Sequence, residues 1–283
     1  FDPDLKNAWH HGIFMLDVSE EWRLKNARLR PRAAEYIRLL ESGADVSQND
    51  SLIEINAACE NLRKWVFEQT SQLLNSGKTV GIIGGEHSVP LGFIQALANR
   101  HKEFGILQID AHADLREAYE GFTYSHASII HHVEKIEQVS KIVQVGVRDL
   151  CEAELERITD SGGRIETFFD WDIKEAIYSN ACWRKICIDV SESLPENVYV
   201  SFDIDGLNPA LCPNTGTPVP GGLAFEQAIY LLKFLAESGH RIIGFDLCEV
   251  APGQNEWDAN VGARILYNLC NMALKSASGD SSY

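Results

Sequence analysis

With 283 residues, 45% of them hydrophobic, the chain is long enough to bury a substantial core, either as one large α/β domain or as two smaller ones. Its formal net charge of −16 opposes binding to nucleic acid or an anionic membrane and favours the approach of a cationic ligand, though such a charge also serves ordinary solubility. No apolar run reaches the roughly eighteen residues that span a bilayer, and the opening stretch lacks the basic and apolar regions of a signal peptide, so a cytoplasmic location is expected. Seven cysteines (Cys59, Cys151, Cys182, Cys187, Cys212, Cys248, Cys270) are odd in number and never spaced C-x-x-C, the pattern of reduced, mostly buried thiols rather than a disulfide framework or zinc ribbon.

Taken in chain order, the first third is irregular, with a strand expected at Gly12–Val18 and a helix near Ile53–Leu74. From Lys78 onward short apolar runs alternate with longer amphipathic ones. The runs Thr79–Gly85, Phe104–Asp110, Ile142–Arg148, Val198–Asp205 and Arg241–Val250 are near-continuously apolar, as strands covered on both faces should be. Helical patterns at Val89–Arg100, Glu152–Asp160, Ala224–Glu237 and Asn260–Leu274 lie between and after them. This alternation predicts an α/β fold with a mainly parallel central sheet. No linker or repeat interrupts it, so residues 1–283 are expected to form one domain, with 1–77 its less regular part and 276–283 a flexible tail.

The residues that carry chemistry sit where the expected strands end, which is where open parallel sheets bind ligands. The run from Phe104 leads into Asp110, His112 and Asp114 at alternate positions, and the run from Val198 ends in Asp203 and Asp205. Alternate residues of extended backbone point the same way, so each set would share a side. The run from Thr79 exits through Gly84-Gly85-Glu86-His87-Ser88, aiming His87 at the same crevice. Taken singly, such residues are turn formers, helix caps or packing groups. Together they are four carboxylates and two imidazoles, and two carboxylates about 4 Å apart repel by roughly 4 kcal/mol at an effective dielectric of 20. Only Arg116 lies near these motifs in sequence, so the compensating charge falls to divalent metal. An oxygen-rich set with some imidazole and no thiolate suits Mn²⁺ better than structural zinc. Two ions sharing carboxylates would activate a water between them, and metal-assisted hydrolysis is the expected reaction class.

These residues resemble the ureohydrolase family, which includes arginase, agmatinase and formiminoglutamase. The resemblance runs through Gly84–Ser88, Asp110–Asp114, Ser201–Pro209, Thr215–Leu223 and Asp246–Pro252, covering roughly residues 78 to 275, with a weaker echo at Ala27–Ala33. It implies an arginase-like three-layer α/β/α fold, a trimer or hexamer, and two Mn²⁺ per chain. One ion would be held by His87, Asp110, Asp114 and Asp203, the other by Asp110, His112, Asp203 and Asp205. Glu249 matches the family's guanidinium anchor and His126 its proton-shuttling histidine; a bridging hydroxide would attack the guanidinium carbon, yielding urea and an amine. Asn208 stands where the family more often has Asp, and the family's G-V-P-x-D start is missing from Gly12–Val18.

The stretch Asp114–Gly121, followed by Ser125-His126-Ala127, looks like agmatinases and lacks the polar loop with which arginases bind an α-carboxylate. Agmatine is therefore the favoured substrate. Asp149, in Gly146-Val147-Arg148-Asp149, resembles the arginase residue that contacts the α-amino group, and so keeps arginine or a guanidino acid as the alternative; it would otherwise bind agmatine's distal amine or cap the helix at Glu152. A one-zinc deacetylase of related fold and a non-catalytic homologue are the readings from other classes; the second normally loses metal ligands, and none is lost here. His10, His11, His101, His131, His132 and His240 are expected at surface or capping positions, Glu86, beside His87, as a residue that orients a ligand or else sits in a salt bridge, and Arg116 and Glu117 at the pocket entrance or as a surface pair.

Overall fold

The computed structural model describes residues 10, 12–46 and 49–278. Six strands, β1 (Gly81–Ile83), β2 (Phe104–Ile109), β3 (Val139–Val145), β4 (Ile165–Phe168), β5 (Asn197–Asp203) and β6 (Arg241–Cys248), form one sheet. Its order is β1-β6-β5-β2-β3-β4, and every pairing is parallel.

Helices cover both faces because side chains alternate across each strand. Leu107, Val143, Val200 and Phe202 point to one face, where they pack with α6 (Asp170–Tyr178), α7 (Trp183–Glu192), α8 (Phe225–Glu237) and α9 (Trp257–Ser278). Ile106, Ile142, Tyr199 and Ile243 point to the other, against α2 (Asp50–Asn75), α3 (Leu91–Ala98) and the short α4 (Ile129–Val133). The remaining helices are α1 (Glu20–Glu41), which packs on α2, and α5 (Glu152–Asp160) beside β4. The expected three-layer α/β/α fold is what the chain forms.

The chain leaves β2 toward β3 and β4 but leaves β5 toward β6 on the opposite side. Neighbouring strands whose connections diverge open a crevice at their carboxyl ends, and here β2 and β5 are that pair. Gly206 lets the two exits close on each other: a Cβ there would lie 2.7 Å from the Asp110 backbone nitrogen.

Several expectations are corrected. Gly12–Val18 forms no strand; Phe14, Met15, Leu16 and Val18 are exposed and pair with no neighbour among the described residues. The Ala27–Ala33 echo, given no place in the fold by the sequence, lies inside α1, where Arg28 reaches Glu54 of α2 at 2.7 Å. Strand β3 spans Val139–Val145 instead of Ile142–Arg148, because Gly146 adopts φ 101° and ends it. α1, α6 and the short β4 carry little periodic signal, whereas α7 is amphipathic, burying Ile186, Cys187 and Val190 on one face, and is an addition to the expected helices. At the other end α9 runs to Ser278, and Ser276 accepts a hydrogen bond from the Ile242 amide at 3.0 Å, while residues 279–283 lie outside the described set. The cysteines are all free, but only Cys187, Cys212 and Cys248 are fully buried. No described helix is long and apolar enough to cross a membrane.

Candidate active site

Three strand exits converge on the crevice. From β1, the Gly84–Ser88 turn delivers His87 into complete burial, with Nδ1 at 3.1 Å from Asp110 Oδ2, 3.2 Å from Asp114 Oδ2 and 3.3 Å from Asp203 Oδ2. His112 Nδ1 lies 3.1 Å from Asp205 Oδ2 and 3.5 Å from Asp110 Oδ1. Asp110 thus offers one oxygen to each imidazole. All six residues expected as metal ligands meet here.

The route differs from plain strand alternation. Asp110 already lies past β2, Asp114 sits at φ 55° in the left-handed region, and Asp205 is in a 3₁₀ turn, Ile204–Gly206, rather than on β5. Local turns re-aim these side chains: the Asp205 amide donates to Asp203 Oδ1 at 2.9 Å, and the His112 amide to Asp110 Oδ1 at 2.7 Å. Ala111 N and Thr217 Oγ1 donate to the two oxygens of Asp205 at 3.0 and 3.3 Å.

Does this donor set fit cations? His87 Nδ1 is buried among three carboxylate oxygens yet makes a well-directed hydrogen bond to none of them. On its far side Nε2 lies 2.9 Å from Ser201 Oγ, whose single proton goes to Asp246 Oδ2 at 2.8 Å. Ser201 therefore accepts from Nε2–H, which leaves Nδ1 as the nitrogen turned to the oxygens, the one that offers its lone pair to a metal when it gives up its proton. Charge points the same way. Burial, then repulsion from Asp110, pushes the Asp114 carboxyl up to about 8, and burial with repulsion from Asp205 and Asp110 raises Asp203 well above the usual carboxylate range. Burial opposes protonation of both imidazoles, but the surrounding carboxylates outweigh it, raising His112 to about 11 and His87 well above its ordinary value. The cluster lacks positive charge of its own and recruits protons to replace it. His87/Asp110/Asp114 and Asp110/His112/Asp205 are two adjoining sets whose ligand atoms lie within 4.8 Å of one another. Oxygen and imidazole donors without thiolate in either set match a hard-to-borderline divalent ion.

A pH dependence follows with a definite sign. Groups held above their unfolded values bind protons on folding, so their stabilisation is full at low pH and is lost as pH rises through the folded value. For Asp114 the window runs from 3.8 to about 8; Asp203, His87 and His112 act in the same sense. The melting temperature of metal-free protein is expected to fall across this window, while Mn²⁺ affinity rises because binding must displace those protons. Scanning calorimetry with and without Mn²⁺ reads both trends, and a metal-free Tm that climbs with pH contradicts the assignment.

Around this centre stand the remaining candidates. Glu249, just past β6 at φ 61°, accepts from the His87 amide at 3.0 Å through Oε1. Burial and then Glu86 raise its carboxyl above the ordinary value. His126 opens the 3₁₀ turn before α4, with Nδ1 3.4 Å from Glu86 Oε1 and its ring packed edge-on against Tyr119. Glu86 takes the His126 backbone amide too, so it orients His126 rather than the ligand His87 beside it. Its hydrogen bond outweighs burial and raises the His126 imidazole. Asp149 is exposed at the rim, 3.9 Å from His112 Nε2. It does not cap α5, whose N-cap is Cys151 with Glu154 returning to the Cys151 amide at 2.9 Å. Arg116 lies over the Tyr119 ring, 5.3 Å from its centre, and 3.5 Å from Glu154. His131, expected at the surface, is buried with Nε2 2.7 Å from Lys135 Nζ; burial lowers it to about 4.

Sequence reasoning missed the residues that support the ligands: Ser201 and Asp246 behind His87, Gln108 behind Asp110, and Arg148. The Arg148 guanidinium donates to the carbonyls of Gly146, Asp205, Leu207 and Val219 at 2.6 to 3.2 Å, clamping the loop that carries Asp205.

The profile of the Arginase family matches residues 26–271. An N(1)-aminopropylagmatine ureohydrolase of Thermus thermophilus is 30% identical over 75% of this chain and 69% of its own length. An agmatinase of Bacillus anthracis is 34% identical over 66% of this chain and 60% of its own. Among solved structures, an agmatine ureohydrolase of Thermoplasma volcanium superposes with a TM-score of 0.66 at 27% identity, covering 78% of this chain and 71% of that one. Fold, crevice and sequence agree: the chain belongs to the arginase family, as a ureohydrolase, a hydrolase acting on C–N bonds.

Proposed function

We propose that the protein hydrolyses agmatine to putrescine and urea, using two Mn²⁺ per chain. His87, Asp110, Asp114 and Asp203 would hold one ion and Asp110, His112, Asp203 and Asp205 the other. The observation that carries this reading is the buried Nδ1 of His87, aimed at three carboxylate oxygens and bonded to none. When bound, the ions supply the positive charge that brings the pKa of water near neutrality.

The chain's own residues supply the rest. Glu249 is placed to receive the planar guanidinium: the His87 amide fixes Oε1, and Oε2 faces Gly216. Asp114, whose Oδ2 faces His87 Nδ1 at 3.2 Å, is a carboxylate placed to take a proton from the attacking water. His126, whose imidazole Glu86 raises above its ordinary value, gives a proton to the amine as its bond to the guanidinium carbon breaks. Asp149 at the rim is a carboxylate for the far ammonium of the substrate.

That far end decides between substrates. Agmatine ends in an amine and no carboxylate, matching the Asp149 carboxylate at the rim and the Asp114–Gly121 stretch; N(1)-aminopropylagmatine, on which the Thermus relative is named as acting, extends the same cationic character. Arginine or a guanidino acid is the alternative that Asp149 keeps open. Urea release by Mn²⁺-loaded protein, measured in parallel on agmatine, N(1)-aminopropylagmatine and arginine, tests the choice. We expect kcat/KM for agmatine to exceed that for arginine by roughly tenfold or more; a higher value for arginine overturns the substrate assignment. The same reading places the protein in the cytoplasm as one domain assembled into a homotrimer or homohexamer.

A further inference from the structure

One level below the metal ligands the sheet carries a row of polar side chains where apolar ones are the rule. Thr167 of β4 pairs in register with Gln144 of β3, Gln144 with Gln108 of β2, Gln108 with Ser201 of β5, and Ser201 with Asp246 of β6. Gln108, Gln144, Ser201 and Asp246 are each 0% exposed. Burying polar groups is costly unless each finds its partners, so such a row is retained only if bonded and useful.

The β2–β4 half of the row is a directed chain of hydrogen bonds. Gln144 Nε2 donates to the Ala113 carbonyl at 2.8 Å and to Gln108 Oε1 at 2.6 Å. A carbonyl only accepts, so Ala113 fixes which end of the Gln144 amide faces it, and Gln144 Oε1 is left to accept from Thr167 Oγ1 at 2.8 Å. With its oxygen held by Gln144, Gln108 must turn Nε2 toward the crevice. There it meets Asp110 Oδ2 at 2.9 Å, Asp114 Oδ2 at 3.3 Å and the His112 carbonyl at 3.4 Å. Those two Oδ2 atoms are the ones that face His87 Nδ1. The His112 side is secured differently, by the backbone amides of Ala111 and His112 and by Thr217.

We propose that Gln108 and Gln144 are positioning residues that set the Asp110 and Asp114 oxygens and thereby the affinity of the His87-side ion, leaving the His112-side ion nearly untouched. This rests on the two-ion reading of the site. A Gln108 amide flipped or removed presents lone pairs, or nothing, to carboxylates that already repel one another, and loss of the Gln144 donor frees Gln108 to flip. The proposal does not depend on which guanidino compound is the substrate.

Crystals of metal-free protein soaked over a series of Mn²⁺ concentrations, with anomalous diffraction reading the occupancy at each position, supply the test. Gln144→Met keeps the side chain's length and removes both donors; it is expected to weaken the His87-side ion 10- to 100-fold and the His112-side ion less than about threefold. Thr167→Val, on a strand that touches neither ion, should weaken the same ion by about fivefold, and Thr167→Ser, which keeps the hydroxyl, should restore it. The valine and serine pair carries the test should Gln144→Met fail to fold. Equal weakening at both positions, or unchanged occupancy at both, overturns the proposal. Absence of Mn²⁺ from both positions in the unsubstituted protein overturns the two-ion reading, and this inference with it.

Discussion

Asp203→Asn is expected to cost the protein its ions and most of its turnover while making the metal-free fold more stable. Asp203 faces His87 through Oδ2 at 3.3 Å and takes the Asp205 amide on Oδ1 at 2.9 Å, so one side chain ties both ligand sets together. Removing one member of a buried charge cluster costs about 3–5 kcal/mol, which in activity is a loss of roughly 10² to 10⁴. Without metal the sign reverses. Burial and its neighbours Asp205 and Asp110 hold the Asp203 carboxyl well above the usual range, so its charge opposes folding at neutral pH, and an isosteric amide relieves that opposition. Tm with chelator present should therefore match or exceed that of the unsubstituted protein, while the rise in Tm on adding Mn²⁺ should vanish. A variant that keeps both ions and full turnover contradicts the placement of Asp203.

Glu249→Gln is expected to separate metal from substrate. The side chain lies beside His87 but outside the ligand sets, and its Oε1 is already occupied by the His87 amide at 3.0 Å. The amide substitution keeps the shape and removes the charge that meets the guanidinium. Losing one partner of a buried, hydrogen-bonded charge pair costs about 2–5 kcal/mol, or roughly 30-fold to several thousand-fold in kcat/KM. Metal content by mass spectrometry should stay at the unsubstituted level. Loss of ions together with activity shows Glu249 to be part of the metal centre, and retention of both shows that it does not anchor substrate.

The two variants differ in how far the sequence alone anticipates them, and the reason is physical. Asp110, His112, Asp114, Asp203 and Asp205 stand out because charged residues at the ends of apolar runs break the pattern that burial imposes. Their final aim does not stand out: Asp114 at φ 55° and Asp205 in a 3₁₀ turn reach the crevice through local backbone geometry that strand alternation does not describe. Buried parallel strands are legible because both faces are apolar, which is why β2, β5 and β6 fall where their runs do. Strand β4, four residues long with only Ile165 buried, lacks that signature, and α6 and α7 follow it. Exposed apolar residues from Ile13 to Val18 mimic a strand in composition, yet no neighbouring backbone pairs with them among the described residues. The support behind the ligands leaves a fainter mark. Gln108, Gln144, Ser201 and Asp246 each interrupt an apolar strand, but only the register between strands shows that they form a single row.

Urea released from agmatine as Mn²⁺ is added back to metal-free protein most directly tests a guanidinium-cleaving centre that depends on divalent metal. The expected result is no release above background without metal and full turnover once two ions per chain are bound, with putrescine formed in equal amount. Urea release that is undiminished in excess chelator, or none from any guanidino compound with both ions in place, contradicts it.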